Sequence, residues 1–335
     1  PGARIAYRRR AENVGRKAGN IAEFSARCGD DYDFMVVLDA DSLMAGTTLV
    51  EMVRRMEANP RLGLLQTATA PIRAESLFAR AVQFGATLYG TPLAWGQAFW
   101  QGDAANYWGH NAIIRVAPFR DHARLPELAG RPPLGGEILS HDFVEAALLR
   151  RAGWQIVFDP TLEASWEEVP DSLPSYARRD RRWAQGSLQH LRLVGLPGLH
   201  PASRMHLLLG AMAYLSSVMW FAMLLAGSAY VLLPGLSEIG PLLPGVRSPV
   251  GAPSLLVVTA VVLLLPKALG FVHAAATGPR RFGGRPRLAA SAVLETAISV
   301  LVAPVLMVYH TLFVAQIVRG RDAGWQPWVR TTSEV

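Results

Sequence analysis

The sequence has little cysteine, little lysine and, over its second part, little charge of either sign. Cys28 is the only cysteine among 335 residues, which excludes an intrachain disulfide and a cysteine-based metal cluster. Charged residues make up 18% of the chain, against about 25% in an average soluble domain. Because 51% of the residues are hydrophobic, the composition also excludes an intrinsically disordered chain.

The charge that is present lies mainly in the first 204 residues. Residues 1–204 contain 24 basic and 22 acidic residues, whereas residues 205–335 contain 9 and 4. The first part is long enough to bury its own core, and the second has the composition of a membrane segment. Most of the net charge of +7 therefore lies beside apolar spans, as in cytoplasmic loops. This distribution argues against nucleic acid as a partner.

Residues 1–200 show alternating helix and strand patterns. Helical spacing is found at about 11–27, 47–58, 141–151 and 172–192, and short apolar runs at 34–38, 62–66, 108–115 and 155–158. This order predicts an α/β domain with a largely parallel sheet. The long aromatic segment 76–100 fits either a core helix or a helix along a membrane surface.

Two apolar stretches after this domain are long enough to span a bilayer, residues 205–233 and 254–276. The loop that follows carries four arginines and no acid, so it is expected in the cytoplasm together with the first domain. For residues 288–318 we expect a membrane-embedded part and, from Pro304, an interfacial helix. Residues 319–335 form a basic tail. Within the apolar segments, Glu295 is expected to face protein or water and Lys267 to snorkel.

Asp39 and Asp41 follow the predicted strand 34–38. Residues i and i+2 of an extended chain point to one face, and the carboxyl ends of strands are where ligands bind in open α/β sheets. Mg²⁺ or Mn²⁺, shared with substrate phosphates, would relieve the repulsion between the two carboxylates. Alternatively, the pair only caps the next helix.

Three further groups are candidates for chemistry. Lys17, in a Lys-Ala-Gly-Asn segment ending at Asn20, could reach a phosphate where the backbone comes close, or it is a surface lysine. His141 and Asp142 open a helix, where either could be a general base or Asp142 a cap.

The segment 178–183 places four arginines around one aspartate and ends at Trp183. Guanidinium groups suit phosphate, and the indole ring offers a flat face to a sugar. A juxtamembrane helix in contact with acidic lipid is the competing interpretation.

Taken in order, these segments resemble the motifs of processive family 2 glycosyltransferases, which include the cellulose, chitin and hyaluronan synthases. The residues that carry the resemblance are Lys17-Ala18-Gly19-Asn20, Asp39-Ala40-Asp41, Ser140-His141-Asp142 and Arg182-Trp183. Segments 139–154, 178–190, 264–270 and 301–314 resemble more narrowly the branch that makes the backbone of osmoregulated periplasmic glucans. The likeness covers essentially the whole chain.

The resemblance implies a fold and a location. The fold would be a GT-A-like, Rossmann-related cytoplasmic domain followed by transmembrane helices, in a multi-pass protein of the bacterial inner membrane. The family's first nucleotide-binding strand is expected before Pro1, so the domain would be incomplete at its N-terminus. A lipid bilayer and a periplasmic glucan-processing protein are the implied partners.

The resemblance also implies an inverting transfer of glucose from UDP-glucose to a β-glucan acceptor, which the membrane helices would export. Asp39 and Asp41 would hold Mg²⁺ or Mn²⁺, and Lys17, Asn20 and Arg182 would bind the nucleotide sugar. Asp142 would be the catalytic base. His141 and Trp183 would bind the acceptor.

Two positions depart from the family pattern. Arg179 stands where the general motif has glutamine, and His141-Asp142 stands where it has an acidic pair. Three alternatives therefore stay open: a synthase for another sugar or linkage, a transferase that makes a lipid-linked product, and a non-enzymatic transporter or channel with a regulatory domain.

Overall fold

The computed structural model describes residues 5–233 and 252–322. The helices are α1 Arg16–Cys28, α2 Gly46–Ala58, α3 Leu77–Gln101, α4 Val116–His122, α5 His141–Arg151, α6 Leu173–His190, α7 Pro201–Leu232, α8 Ala252–Thr277 and α9 Arg285–Val318. The strands are β1 Phe34–Val37, β2 Leu43–Met44, β3 Leu62–Thr67, β4 Ala70–Ile72, β5 Ala112–Arg115, β6 Gln155–Asp159 and β7 Ser165–Glu168. The predicted elements are present within a few residues, and β2, β4, β7 and α4 are additional.

The main sheet is mixed, so the prediction of a largely parallel sheet is wrong. Its strand order is β1-β5-β3-β6, and β5 pairs antiparallel with both β1 and β3. Only β3 and β6 are adjacent and parallel. The reason is that α3 and the loop after it bring the chain back to the sheet from the opposite end. Strand β5 therefore lies between β1 and β3 and runs antiparallel to both. An apolar run does not encode strand direction, because direction depends on the connection before it.

The core forms on both faces of this sheet. Every residue of β3 is buried, as expected for a central strand covered on two sides. On one face Leu64 packs with Leu149 of α5 and Ile156 of β6, and on the other Leu65 packs with Met52 of α2. A second sheet, with order β2-β7-β4, lies beside the end of β1. The core therefore fixes the start of α5 relative to the carboxyl end of β1.

Helix α3 contacts both the core and the membrane-type helices. Leu88 is buried in a cluster with Ala274 of α8 and Leu288 of α9, while Ala94 packs in the main core. Phe99 is 92% exposed. The interpretation of segment 76–100 as a core helix holds for the part that contains Ala94, while the part that contains Leu88 packs on α8 and α9.

Three helices are long and apolar enough to cross a membrane, within residues 201–230, 256–277 and 285–318. The third is one uninterrupted helix of 34 residues, so the helix does not break at Pro304, where we expected the membrane-embedded part to end. A helical proline removes one hydrogen bond, and the packing of the turns on either side can hold the helix together. Most of the predicted basic tail, from residue 323, lies outside the described residues.

Candidate active site

A cavity of about 1450 Å³ lies at the carboxyl end of β1, between α1, the start of α5 and α6. The eight residues singled out in the sequence all line it. They are Lys17, Asn20, Asp39, Asp41, His141, Asp142, Arg182 and Trp183. Four segments that are far apart along the chain thus meet in one place.

The acidic wall of the cavity is formed just after β1. Asp39 forms an ion pair with Lys17 of α1, and its backbone N–H donates to Ser42 Oγ at 3.1 Å. Burial raises the pKa of Asp41, and the negative charge of Asp39 adds to this effect. The carboxylate of Asp41 is therefore held at an energetic cost unless a cation is nearby. The ammonium group of Lys17 already supplies positive charge on the Asp39 side.

The donor set here fits a divalent cation that keeps water and substrate ligands. Among the described residues there is no group of three or more His, Cys, Asp and Glu side chains able to hold a metal. Two carboxylates in one cavity are nevertheless the ligands that Mg²⁺ usually takes from a protein at a phosphate site. Such an ion would offset the cost of burying the ionised carboxylate of Asp41 beside Asp39. Asp39 and Asp41 are therefore suited to a shared site rather than to an all-protein cage.

Asp142 is in the first turn of α5 and faces the same cavity. The carboxylate of Asp142 lies close to the backbone of Gly109, which has φ +87°. A Cβ at position 109 would lie only 3.2 Å from Asp142 Oδ2. The N-terminus of a helix favours a negatively charged side chain. Both roles proposed from the sequence, base and helix-end carboxylate, are thus compatible at this residue.

The start of α5 is held in place by α6. A Cβ on Gly186 of α6 would lie only 2.2 Å from Ser140 Oγ, so no other residue fits without moving the two helices apart. His190 Nε2 donates to the carbonyl oxygen of Ser140 at 2.8 Å. Burial lowers the pKa of His190, which keeps the ring neutral. Asp142 is therefore positioned against the helix that carries Arg182.

His141 is 8% exposed and its ring is engaged inside the protein. Its Nδ1 lies 2.9 Å from Glu145 Oε2, one turn along α5. Burial opposes protonation, but the charge and hydrogen bond of Glu145 raise the pKa of His141 overall. The ring is thus oriented by Glu145, and only its remaining edge is available to a ligand.

The basic wall of the cavity comes from α6. Arg182 is partly buried, and its pKa is lowered by burial and by the charges of Arg179 and Arg16. The guanidinium of Arg179 lies over the ring of Trp183, 4.6 Å from the centroid. One face of Trp183 is covered in this way, and its side chain remains 48% exposed. Asn20 is exposed, and its side-chain oxygen accepts a hydrogen bond from Arg8.

Comparison with known proteins identifies the family. The family model described as Glycosyl transferase family group 2 matches residues 34–264. The chain belongs to this family. Family membership favours a transferase over a non-enzymatic transporter or channel, the third alternative left by the sequence.

Curated relatives of this family-2 chain agree with the narrower resemblance. It is 50% identical over 96% of its length to glucans biosynthesis glucosyltransferase H of Rhodopseudomonas palustris CGA009 and covers 46% of that protein. The protein of the same name in Xanthomonas campestris B100 is 46% identical over 98% of the chain, which covers 52% of it. The Vibrio cholerae O395 protein is 46% identical over 97%, with 46% covered. The chain spans about half the length of these relatives.

The cavity also contains residues that sequence reasoning missed. They are Arg16, Gly109, His110, Glu137 and Glu167. His110 lies between Ser42 and Glu167, with Nε2 at 3.3 Å from Glu167 Oε2. Glu167 is on β7, a strand with no apolar alternation to reveal it. A signal for Arg16 was available, because it immediately precedes Lys17.

Buried polar contacts join this site to the membrane-type helices. Asp180, which is 5% exposed, accepts hydrogen bonds from Tyr214 of α7 at 2.8 Å and from His310 of α9 at 2.7 Å. Farther along, Glu295 pairs with Lys267 at 2.7 Å. Glu295 therefore faces protein, as expected, while Lys267 pairs inward instead of snorkelling outward.

Proposed function

We propose that this chain is the catalytic part of a membrane-bound, inverting glucosyltransferase of the GT-A type. It transfers glucose from UDP-glucose to a growing β-glucan, the backbone of an osmoregulated periplasmic glucan, and takes part in its export. The observation that carries the proposal is the single cavity with an acidic wall at Asp39, Asp41 and Asp142 and a basic wall at Arg182. The names of the curated relatives support the same substrate class.

In the proposed chemistry, the acidic wall supplies the base and the metal ligands, and the basic groups bind the leaving UDP. Asp142 accepts the proton of the acceptor hydroxyl as that oxygen attacks the anomeric carbon, and the bond to the diphosphate breaks. Attack from the opposite face inverts α to β. Asp39 and Asp41 would hold Mg²⁺ or Mn²⁺, which when bound offsets the charge of the diphosphate. Lys17 and Arg182 bind the departing UDP.

The acceptor side of the site lies at α5 and α6. The exposed face of Trp183 would stack on the terminal sugar of the acceptor, since aromatic rings pack well on the apolar faces of sugars. His141, oriented by Glu145, would hold a hydroxyl near Asp142. Asn20, which contacts Arg8, would belong to the nucleotide side.

For the membrane, we propose that α7 and α8 span the bilayer and that α9 lies at its cytoplasmic surface. The start of α9 packs on α3 through Leu288, and its end packs on α6 through Ile317. Helices α3 and α6 belong to the same domain. If α9 crossed the bilayer, its two ends would lie on opposite sides of the membrane and could not both keep their contacts with that domain. Arg285 and Arg319 at the two ends then share the cytoplasmic side, in agreement with the positive-inside rule. The protein would be multi-pass and located in the inner membrane.

This topology is checked with single cysteines in the complete protein after Cys28→Ser. Arg285→Cys and Arg319→Cys are both expected to react with a membrane-impermeant maleimide only from the cytoplasmic side. Leu233→Cys, at the end of α7, is expected to react from the periplasmic side and serves as the control. Labelling of positions 285 and 319 from opposite sides would show that α9 crosses the membrane.

The activity is tested with inner membranes that contain the complete protein. With labelled UDP-glucose and Mg²⁺, we expect a water-soluble β-glucan whose linkage is then determined. UDP-galactose and UDP-N-acetylglucosamine are the matched controls and are expected to give no polymer. A lipid-soluble product, or polymer from another sugar only, contradicts the proposal and supports one of the other two classes of transferase.

A further inference from the structure

Arg16 has a backbone conformation that costs free energy. It is the first residue of α1, and its φ of 51° lies in the left-handed region. Residues other than glycine rarely occupy that region, and such strain is found where the surrounding structure enforces it, often at binding sites. Here Arg10 donates to the carbonyl oxygen of Arg16 at 3.0 Å, and Glu137 Oε1 accepts from the N–H of Gly15 at 2.9 Å.

Arg16 is half-buried, and one end of its guanidinium group reaches into the protein. It lines the large cavity, and its Nη1 atom is buried with no hydrogen-bond partner among the described residues. A buried guanidinium N–H without an acceptor is unfavourable, and more so because the group is charged. The loop conformation and the orphaned nitrogen together point to an acceptor that the described part of the chain does not provide.

Two arginines of α6 lie near Arg16. Arg16 and Arg179 are both close enough to Arg182 for their charges to affect its ionisation, and all three residues line the same cavity. The Nε atom of Arg179 is also buried and has no partner in the described part of the chain. Three guanidinium groups from α1 and α6 therefore line the cavity that the carboxylates of Asp39 and Asp41 also line. Guanidinium groups gathered in one cavity suit a polyvalent oxyanion, and Arg16 and Arg179 each bring a buried donor to it.

We propose that Arg16 binds the diphosphate of the nucleotide, as a third guanidinium beside Arg182 and Arg179. This inference rests on the proposed function, because it places the leaving group of that reaction. The anion would lie between the basic wall and the carboxylate pair. The strained backbone is then explained by binding, because the left-handed φ of Arg16 directs its side chain into the cavity from the first residue of α1.

The test compares three probes on the complete protein purified in detergent: UDP, uridine and inorganic pyrophosphate, at one fixed Mg²⁺ concentration. Arg16→Asn and Arg16→Gly both tolerate the left-handed conformation but lack the guanidinium. We expect the affinity for UDP and pyrophosphate to fall about tenfold or more, as for a lost charged hydrogen bond, with uridine unaffected. Arg54→Asn, an exposed arginine on α2 remote from the cavity, is the matched control and leaves all three affinities unchanged.

Arg16→Lys keeps the charge and the backbone requirement of the wild type, so it reports on the site even if the other variants fold poorly. It is expected to bind pyrophosphate with intermediate affinity. The inference is overturned if pyrophosphate and UDP bind all Arg16 variants as they bind the wild type, or if uridine binding falls equally. Pyrophosphate binding that depends on Arg16, in a protein with no affinity for UDP, would support the anion site and overturn the proposed nucleotide donor instead.

Discussion

Asp142→Asn is expected to reduce glucose transfer by about 10²–10⁴-fold, the usual contribution of a general base. The affinity for UDP should stay within about twofold of the wild type, because the carboxylate acts on the acceptor and not on the nucleotide. Asparagine has the same shape and is also favourable near a helix N-terminus. Initial rates of glucan formation in membranes, together with UDP titration of the purified protein, separate these two effects.

The control for Asp142 is Asp121→Asn, an exposed aspartate on α4 that pairs with Arg120 away from the cavity. It should transfer glucose at the wild-type rate. If the Asp142 variant polymerises glucose at a comparable rate, Asp142 is not the base. If UDP binding is lost along with transfer, the carboxylate has a positioning role on the nucleotide side.

Asp41→Asn is expected to abolish the metal dependence of UDP binding, so that affinities with and without Mg²⁺ no longer differ. The same change should raise the melting temperature of the metal-free protein. The folded-state pKa of Asp41 is raised by burial first and by Asp39, so at neutral pH its charged form is less favourable in the folded than in the unfolded protein. Removing that charge therefore stabilises the fold while it removes a metal ligand.

The sign of the pH effect follows from the same shift. Metal binding needs the ionised carboxylate, so in the wild type the metal-dependent part of UDP affinity weakens as the pH falls toward the raised pKa of Asp41. This loss begins at a higher pH than for an unperturbed aspartate. The control for Asp41→Asn is Glu51→Gln on α2, whose side chain pairs with Arg54 and Arg55. If Asp41→Asn keeps the full metal-dependent part of its affinity for UDP, Asp41 does not hold the metal.

The connection from the active site to the membrane runs through one helix. Helix α6 carries Arg182 and Trp183 on its cavity side and Asp180 on the side facing Tyr214 and His310. Because Asp180 is buried and bonded to both helices, a shift of α7 or α9 against α6 would break one of these hydrogen bonds. The helix that carries Arg182 and Trp183 is thus tied by direct contacts to two of the three membrane-type helices.

Most elements of the fold were predictable because local patterns encode them. The apolar run at β1 and the helical spacing of α5 and α2 are properties of a few consecutive residues. Strand direction at β5 and the continuity of α9 through Pro304 were not, because both depend on packing against distant segments. The very short strand β2 carries too few residues for any pattern.

The sequence by itself determined the composition split, the positions of the apolar helices and the chemical types present at residues 17, 39–41, 142 and 182–183. Only the tertiary structure decided that these residues share one cavity, since they come from α1, β1, α5 and α6. It also decided that Arg16 joins them and that Lys267 pairs with Glu295. The physical reason is that charge and burial act between atoms close in space, and the chain order does not state which atoms those are.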